Sequence, residues 1–260
     1  MSSPNVTTEQ VKELRDATGI SIMQCRRALE EAEGDMKKAL AILKKTSGDI
    51  ALKKIGREVK DGAVIVKSKE NKSVLVALHC ETDFVSRNED FVNLLSALAD
   101  IALLDGVEKM KASAKEMIDQ VIQKTGENIQ LGEAYEVTGE VIGNYVHNNK
   151  MAVIVSLEGG TSALAKDVAM HIAAMKPEYL KEEDIDGEAK KTMEEVFAKE
   201  VAGVDKPEEI KKKILEGKIS TYFKEKTLPH QVFIKNPDMT VGKLLESEKA
   251  KIKEVKRYSI

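Results

Sequence analysis

The chain has 260 residues and a 42% hydrophobic content, enough for one large domain or two ordinary ones with a real core. Its 41 Lys and Arg nearly balance 44 Asp and Glu, for a net charge of -3. That balance argues against a general phosphate-backbone binder, which needs a basic excess or a concentrated patch, and against an acidic disordered tail. With no Trp, five Tyr and five Phe, few platforms exist for stacking on single-stranded nucleic acid.

The N-terminus, Met1-Ser2-Ser3-Pro4-Asn5, lacks the basic-then-apolar pattern of a signal peptide, and no apolar run reaches membrane-spanning length. Cys25 and Cys80 show no metal-type spacing, and a reducing compartment suits them. Residues 1–46 read as a three-helix module. Thr7 with Gln10 and Ser21 with Gln24 are capping boxes, Asp35 caps the third helix, and Gly19 and Gly34 stop the first two. Residues 47–61 read as a polar connector.

In residues 62–140, Ala63–Val66 and Val74–Leu78 are β-rich runs around the turn Lys69–Lys72. A helix carrying Phe91, Leu94, Leu95 and Leu98 follows, then a helix over Ala112–Thr125 and a strand at Tyr135–Val137. The strand, turn, strand, helix order recurs in Val141–Val146, His147–Lys150, Met151–Leu157 and a helix from Ser162. These are two similar halves, each a hairpin covered by a helix. The second, 141–186, takes back 227–260, with strands expected at Val232–Ile234 and Lys253–Ile260 and a short helix at Thr240–Leu245. Between them, 187–226 reads as an antiparallel helical hairpin: its apolar stripes are narrow, Gly203 ends one helix and Pro207 opens the next. The fold class is α+β.

The sequence holds no phosphate-binding glycine loop, no GxSxG elbow and no HExxH. His79-Cys80 invites a nucleophile or metal reading, but neighbours on a strand point to opposite faces, so Cys80 is expected in the core. Phe84 lies in the polar strand-to-helix turn Thr82–Phe91. It is either a hydrophobic staple against its own helix or a protruding anchor for a partner.

Two segments then carry a resemblance. Leu14-Arg15-Asp16-Ala17-Thr18-Gly19 with Met23–Leu29, and Cys80-Glu81-Thr82-Asp83-Phe84-Val85-Ser86-Arg87-Asn88, resemble the two signatures of the elongation factor Ts family. Gly126-Glu127-Asn128-Ile129, the Tyr145-x-His147 strand end and His171–Ala174 before Pro177 also match its pattern in order. The resemblance implies a ubiquitin-associated-like N-terminal module, a two-part core and a helical projection. It implies a cytoplasmic exchange factor with no catalytic centre and no cofactor or metal of its own, acting on elongation factor Tu in its nucleotide-free and GDP forms. No direct nucleic-acid or membrane contact is implied, and the helical hairpin is a candidate for self-association. Asp83 and Phe84 match the family's invading pair, which disturbs the GTPase near its magnesium, with Thr82 and Val85 beside them as further expected partner-binding residues. Ile22 and Met23 match the contact of the N-terminal module, Gly126 a core contact loop and His147 a strand end facing another domain of the partner. The rival reading is a helical adaptor without exchange activity.

The chain departs from the pattern at His79, at Arg26 and at Gln130-Leu131-Gly132. The family commonly continues past the position of Ile260 into a glycine-rich turn and a terminal helix, so a short or cut chain is expected.

Overall fold

The computed structural model describes residues 6–260, so the segment Met1–Asn5, read above for a signal peptide and as the start of the first module, lies outside the described residues. The described chain mixes helices with antiparallel sheets, the α+β class expected. It divides into two units. One runs to Glu136 and takes in Val146–Ala152 and Tyr258–Ile260; the other holds Val137–Tyr145 and Val153–Arg257.

The first unit opens with helices α1 (Thr8–Thr18), α2 (Ile22–Glu31) and α3 (Met36–Leu52). Thr7 and Gln10 make both bonds of a capping box, at 3.0 and 3.2 Å. Ser21 Oγ accepts from the Gln24 amide, and Asp35 accepts from the amides of Lys37 and Lys38. Val11, Leu14, Cys25, Ala28, Leu29, Ala39 and Leu43 form the small core between the helices. Helix α3 runs past residue 46 into the segment expected as connector. Gly48 and the polar residues around it mimic a linker, but Ser47 and Ala51 are buried, and Ser47 Oγ satisfies itself on the Lys44 carbonyl at 2.7 Å. Tertiary packing outweighs the ~1 kcal/mol that a glycine costs inside a helix.

Strands β1 (Asp61–Lys69) and β2 (Lys72–Cys80) pair antiparallel, with Val64 opposite Ala77 and Val66 opposite Leu75. Then come α4 (Asp83–Ser86), α5 (Glu89–Asp105), α6 (Val107–Thr125) and β3 (Ile129–Thr138), which joins the sheet beside β2. The half is thus a three-stranded sheet with two long helices, so the helix and strand expected after the hairpin and its covering helix belong to the same layer structure. Tyr135–Val137 is the end of a longer strand, and α6 begins before Ala112. Val74, Val76, Leu78 and Cys80, at the strand period of two, pack with Phe91, Leu94, Leu95 and Leu98 of α5.

Most of β4 (Val141–His147), β5 (Met151–Glu158) and, further on, β8 (Lys251–Ser259) belongs to the second unit, and these strands form a sheet in the order β4-β5-β8. Helix α7 (Ser162–Met175) lies so close to β4 that a Cβ on Gly143 would sit 2.1 Å from the Lys166 backbone nitrogen. Only glycine fits that approach. The helical hairpin is α8 (Gly187–Ala202) and α9 (Glu208–Lys226), with Gly203 and Pro207 as caps. Its stripe residues Val201 and Phe223 are buried, whereas Val196 and Ile210 are exposed. Strand β6 (Val232–Phe233) pairs with β7 (Asn236–Thr240) in a separate two-stranded sheet, so Val232–Ile234 does not join the larger sheet. Two residues are too few to span it, and Ile234 turns its amide to His171 instead. Helix α10 (Val241–Ser247) is capped by Thr240.

His171 of α7 is fully buried. Its Nδ1 accepts from the Ile234 amide at 3.3 Å, so its Nε2 carries the proton and donates to Gln231 Oε1 at 3.0 Å. Burial pushes its pKa down, opposed by the Gln231 bond. The sign follows: the unfolded imidazole takes a proton near its ordinary value of about 6.5 and the folded one resists. The His171 contribution should be constant above that pH and be lost as pH falls below it, well before carboxylates titrate, and His79, lowered by burial as well, adds to the decline in the same direction. The thermal midpoint is expected to drop between pH 7.5 and 5.5; an unchanged midpoint would contradict neutral burial.

Candidate partner-binding site

The candidate site starts where β2 ends. Cys80 closes the strand in the core, and Thr82 caps α4 by accepting from the Val85 amide at 3.5 Å. Asn88 then caps α5 through the Asp90 amide at 2.9 Å. Two caps in quick succession limit α4 to one turn. At about 100° per residue, that turn cannot face Phe84, Val85 and Ser86 all inward. Val85 and Ser86 are buried, and Phe84 stands 83% exposed. The staple reading is therefore overturned: Phe84 does not tuck against its own helix. Asp83 pairs with Arg87 at 3.2 Å, an exposed contact worth little by itself.

The turn is held from outside by Glu127, a residue of the matched Gly126–Ile129 segment to which the sequence alone assigns no role of its own. The Glu127 carboxylate accepts from the Thr82 amide at 3.1 Å and from Thr82 Oγ1 at 2.7 Å. The next residues pair in the reverse sense: the Asn128 amide donates to Glu81 Oε1 at 2.6 Å, and the Asn128 side chain donates to the Arg57 carbonyl at 2.7 Å. Gly126, just before, ends α6 in the left-handed region at φ 76, which favours glycine, and a Cβ there would meet open space. The predicted residues Thr82, Asp83, Phe84, Val85 and Gly126 thus share one hydrogen-bonded cluster. Within it Val85 is a core residue and Thr82 a bonded cap.

His147 lies at the end of β4. Asn148 and Asn149 both have left-handed backbones, at φ 50 and 55, and the Lys150 amide returns to the His147 carbonyl at 2.9 Å. That is a two-residue hairpin turn, which needs such residues. Lys150 Nζ reaches Asp61 Oδ1 and the Gly62 carbonyl, each at 2.6 Å, and Ser86 Oγ at 3.4 Å. Burial raises the Asp61 pKa, but bonds from Lys150, Ser86 and the Gly62 amide together leave it below the usual value. Ile22 and Met23, in the first turn of α2, are 51% and 60% exposed, so packing does not account for them. Their neighbour Gln24 accepts from Gln123 of α6 at 3.2 Å.

His79 and Cys80 take separate partners, as alternation requires. His79 Nε2 lies 2.7 Å from the Tyr258 hydroxyl, while the Cys80 thiol donates to the Thr82 carbonyl at 3.2 Å. Burial, then the charges of Asp61 and Glu127, push the Cys80 thiol up to about 12, the opposite of an activated nucleophile. Among the described residues, no three His, Cys, Asp or Glu side chains converge in a way that could hold a metal ion, and no helix is long and apolar enough to cross a membrane.

These features define a class first: an α+β protein whose described residues hold a three-helix start, three antiparallel sheets and an exposed aromatic on a hydrogen-bonded turn. The model of the family described as elongation factor TS matches residues 81–260. An elongation factor Ts from Hahella chejuensis is 39% identical over 98% of this chain and 92% of that protein. One from Thioalkalivibrio sulfidiphilus is also 39% identical, and one from Lactiplantibacillus plantarum 37%, each with the same coverage. The chain belongs to the elongation factor Ts family.

Two outcomes are expected of the cluster. Iodoacetamide at pH 8 should leave Cys80 unmodified in the native protein and alkylate it in denaturant; rapid native labelling read by mass spectrometry would contradict the raised pKa. Glu127→Ala strips two bonds from Thr82, and denaturant unfolding should register a loss of about 1–3 kcal/mol.

Proposed function

We propose that this chain promotes GDP release and GTP exchange on elongation factor Tu, in the cytoplasm, through binding alone. Phe84 and Asp83 enter the GTPase beside its magnesium and loosen the nucleotide. Ile22 and Met23 engage the nucleotide domain, the Gly126 loop adds a contact, and His147 meets another domain of the partner. Thr82 and Val85 serve by fixing the turn from behind. The observation that carries this reading is Phe84, a large aromatic 83% exposed on a turn that hydrogen bonds hold in place. Family membership supplies the partner. The helical hairpin, with Val196 and Ile210 exposed, is the proposed site of any self-association.

Exchange of this kind is a coupling between two ligands of the GTPase. The chain binds the nucleotide-free form better than the GDP form, and GDP weakens the chain by the same ratio. Burying one Phe yields about 1.5–3 kcal/mol, roughly a factor of 10–150. One side chain is therefore too little for a large acceleration, and several contacts must act together.

Release of a fluorescent GDP analogue from elongation factor Tu, chased with unlabelled GDP, tests this. Catalytic amounts of the chain should accelerate release. Phe84→Ala should reduce that acceleration about 10- to 100-fold with an unchanged thermal midpoint, because the ring supports nothing in the free fold. Full activity in this variant would sink the wedge role. Ile22→Ala with Met23→Ala should raise KM more than it lowers kcat, again without loss of stability; unchanged kinetics would remove them from the interface.

A further inference from the structure

Lys150 belongs to the hairpin turn that carries His147, yet its ammonium group lies among groups of the β1 start and of α4. It contacts Asp61 Oδ1 and the Gly62 carbonyl at 2.6 Å and Ser86 Oγ at 3.4 Å. Ser86 is buried, and its single hydroxyl proton is shared between the Asp83 carbonyl, at 3.1 Å, and the Asp61 carboxylate. The lysine backbone is fixed as well: its amide donates to the His147 carbonyl at 2.9 Å, and its carbonyl accepts from the Ile260 amide at 2.8 Å. Beside it, the Asn149 carbonyl accepts from the Val64 amide at 2.8 Å. A short covalent and hydrogen-bonded path therefore runs from His147 through Lys150 and Ser86 to Asp83 and Phe84. The lysine side chain is 39% exposed and its Asp61 partner 24%, so this is a partly shielded, charge-assisted junction and not a surface ion pair.

We propose that Lys150 is a positioning residue: it locks the His147 turn and the Asp83–Phe84 turn at one spacing, so that both meet the GTPase as a single rigid surface. This rests on the reading that Phe84 and His147 both touch elongation factor Tu. Two contacts on a fixed frame engage without the ordering cost that two independently moving loops would incur. Asp61 is the anchor of the lock and Ser86 its far end. Neither Lys150 nor Asp61 touches the partner in this account.

The test is a set of double-mutant cycles on GDP release, pairing Lys150→Met with His147→Ala and with Phe84→Ala, with the fold checked by thermal melting. Lys150→Met should lower kcat/KM roughly tenfold, by analogy with displaced positioning groups. Coupled residues give non-additive losses, so adding His147→Ala or Phe84→Ala to Lys150→Met should lose less than the product of the single effects. A residue that merely stabilises the fold would give losses that multiply, and that result overturns the proposal. So does wild-type exchange by folded Lys150→Met. If His147→Ala and Phe84→Ala alone leave exchange intact, the contact reading fails and the positioning role fails with it. If they lose activity but multiply with Lys150→Met, only the positioning role fails. Should Lys150→Met not fold, Ser86→Ala opens the far end of the lock and must show the same sub-multiplicative pattern with His147→Ala.

Discussion

The bonds between Glu127 and Thr82 set what the candidate site can do. An exposed phenylalanine gains nothing from water, and left on a free loop it would collapse onto the nearest apolar surface. Here the Thr82 amide and hydroxyl are held by one carboxylate, and Glu81 and Asn128 close the adjoining pair. Val85 and Ser86 are fixed in the interior behind the turn. With the inward positions taken, the outward direction of Phe84 is a consequence of backbone geometry. Pre-organisation of this kind means that little ordering cost would remain in the proposed binding, where a partner covers the ring.

The same logic runs through the first unit. The left-handed Gly126 ends α6 so that Glu127 can face Thr82, and the paired left-handed asparagines turn β4 into β5 so that Lys150 can face Asp61. Ordinary structural devices, a helix C-cap and a two-residue hairpin, therefore aim the polar groups that hold the candidate surface. The buried Cys80 and the satisfied His79 sit behind it as support, with a thiol raised by burial and an imidazole lowered by it. Their chemistry is suppressed by the same packing that buries Val85 and Ser86 behind the turn.

Much of this was legible from residues alone. The caps at Thr7, Ser21 and Asp35, the strand period of β2 and the breaks at Gly203 and Pro207 are local signals, and each element formed where they indicated. What escaped was non-local. Ser47 and Gly48 look like linker until α6 covers them, and Val232–Ile234 looks like a sheet strand until His171 takes the Ile234 amide. Phe84 fits a staple equally well in sequence; its exposure, with Val85 and Ser86 taking the inward positions, decides against it. Glu127 stands in the matched Gly126–Ile129 segment and Lys150 is one of many charged residues, but their partners lie far along the chain, so no spacing rule assigns either its role.

The central claim is that the chain distinguishes two states of its GTPase, with Phe84 acting at the nucleotide end. Its most direct test is the affinity of the chain for elongation factor Tu, by calorimetry, with the nucleotide site empty and with GDP bound, for the unaltered chain and for Phe84→Ala. The account predicts clearly tighter binding to the empty form and a smaller ratio between the two states in the variant. Equal affinity for both forms, or a ratio untouched by Phe84→Ala, would contradict it.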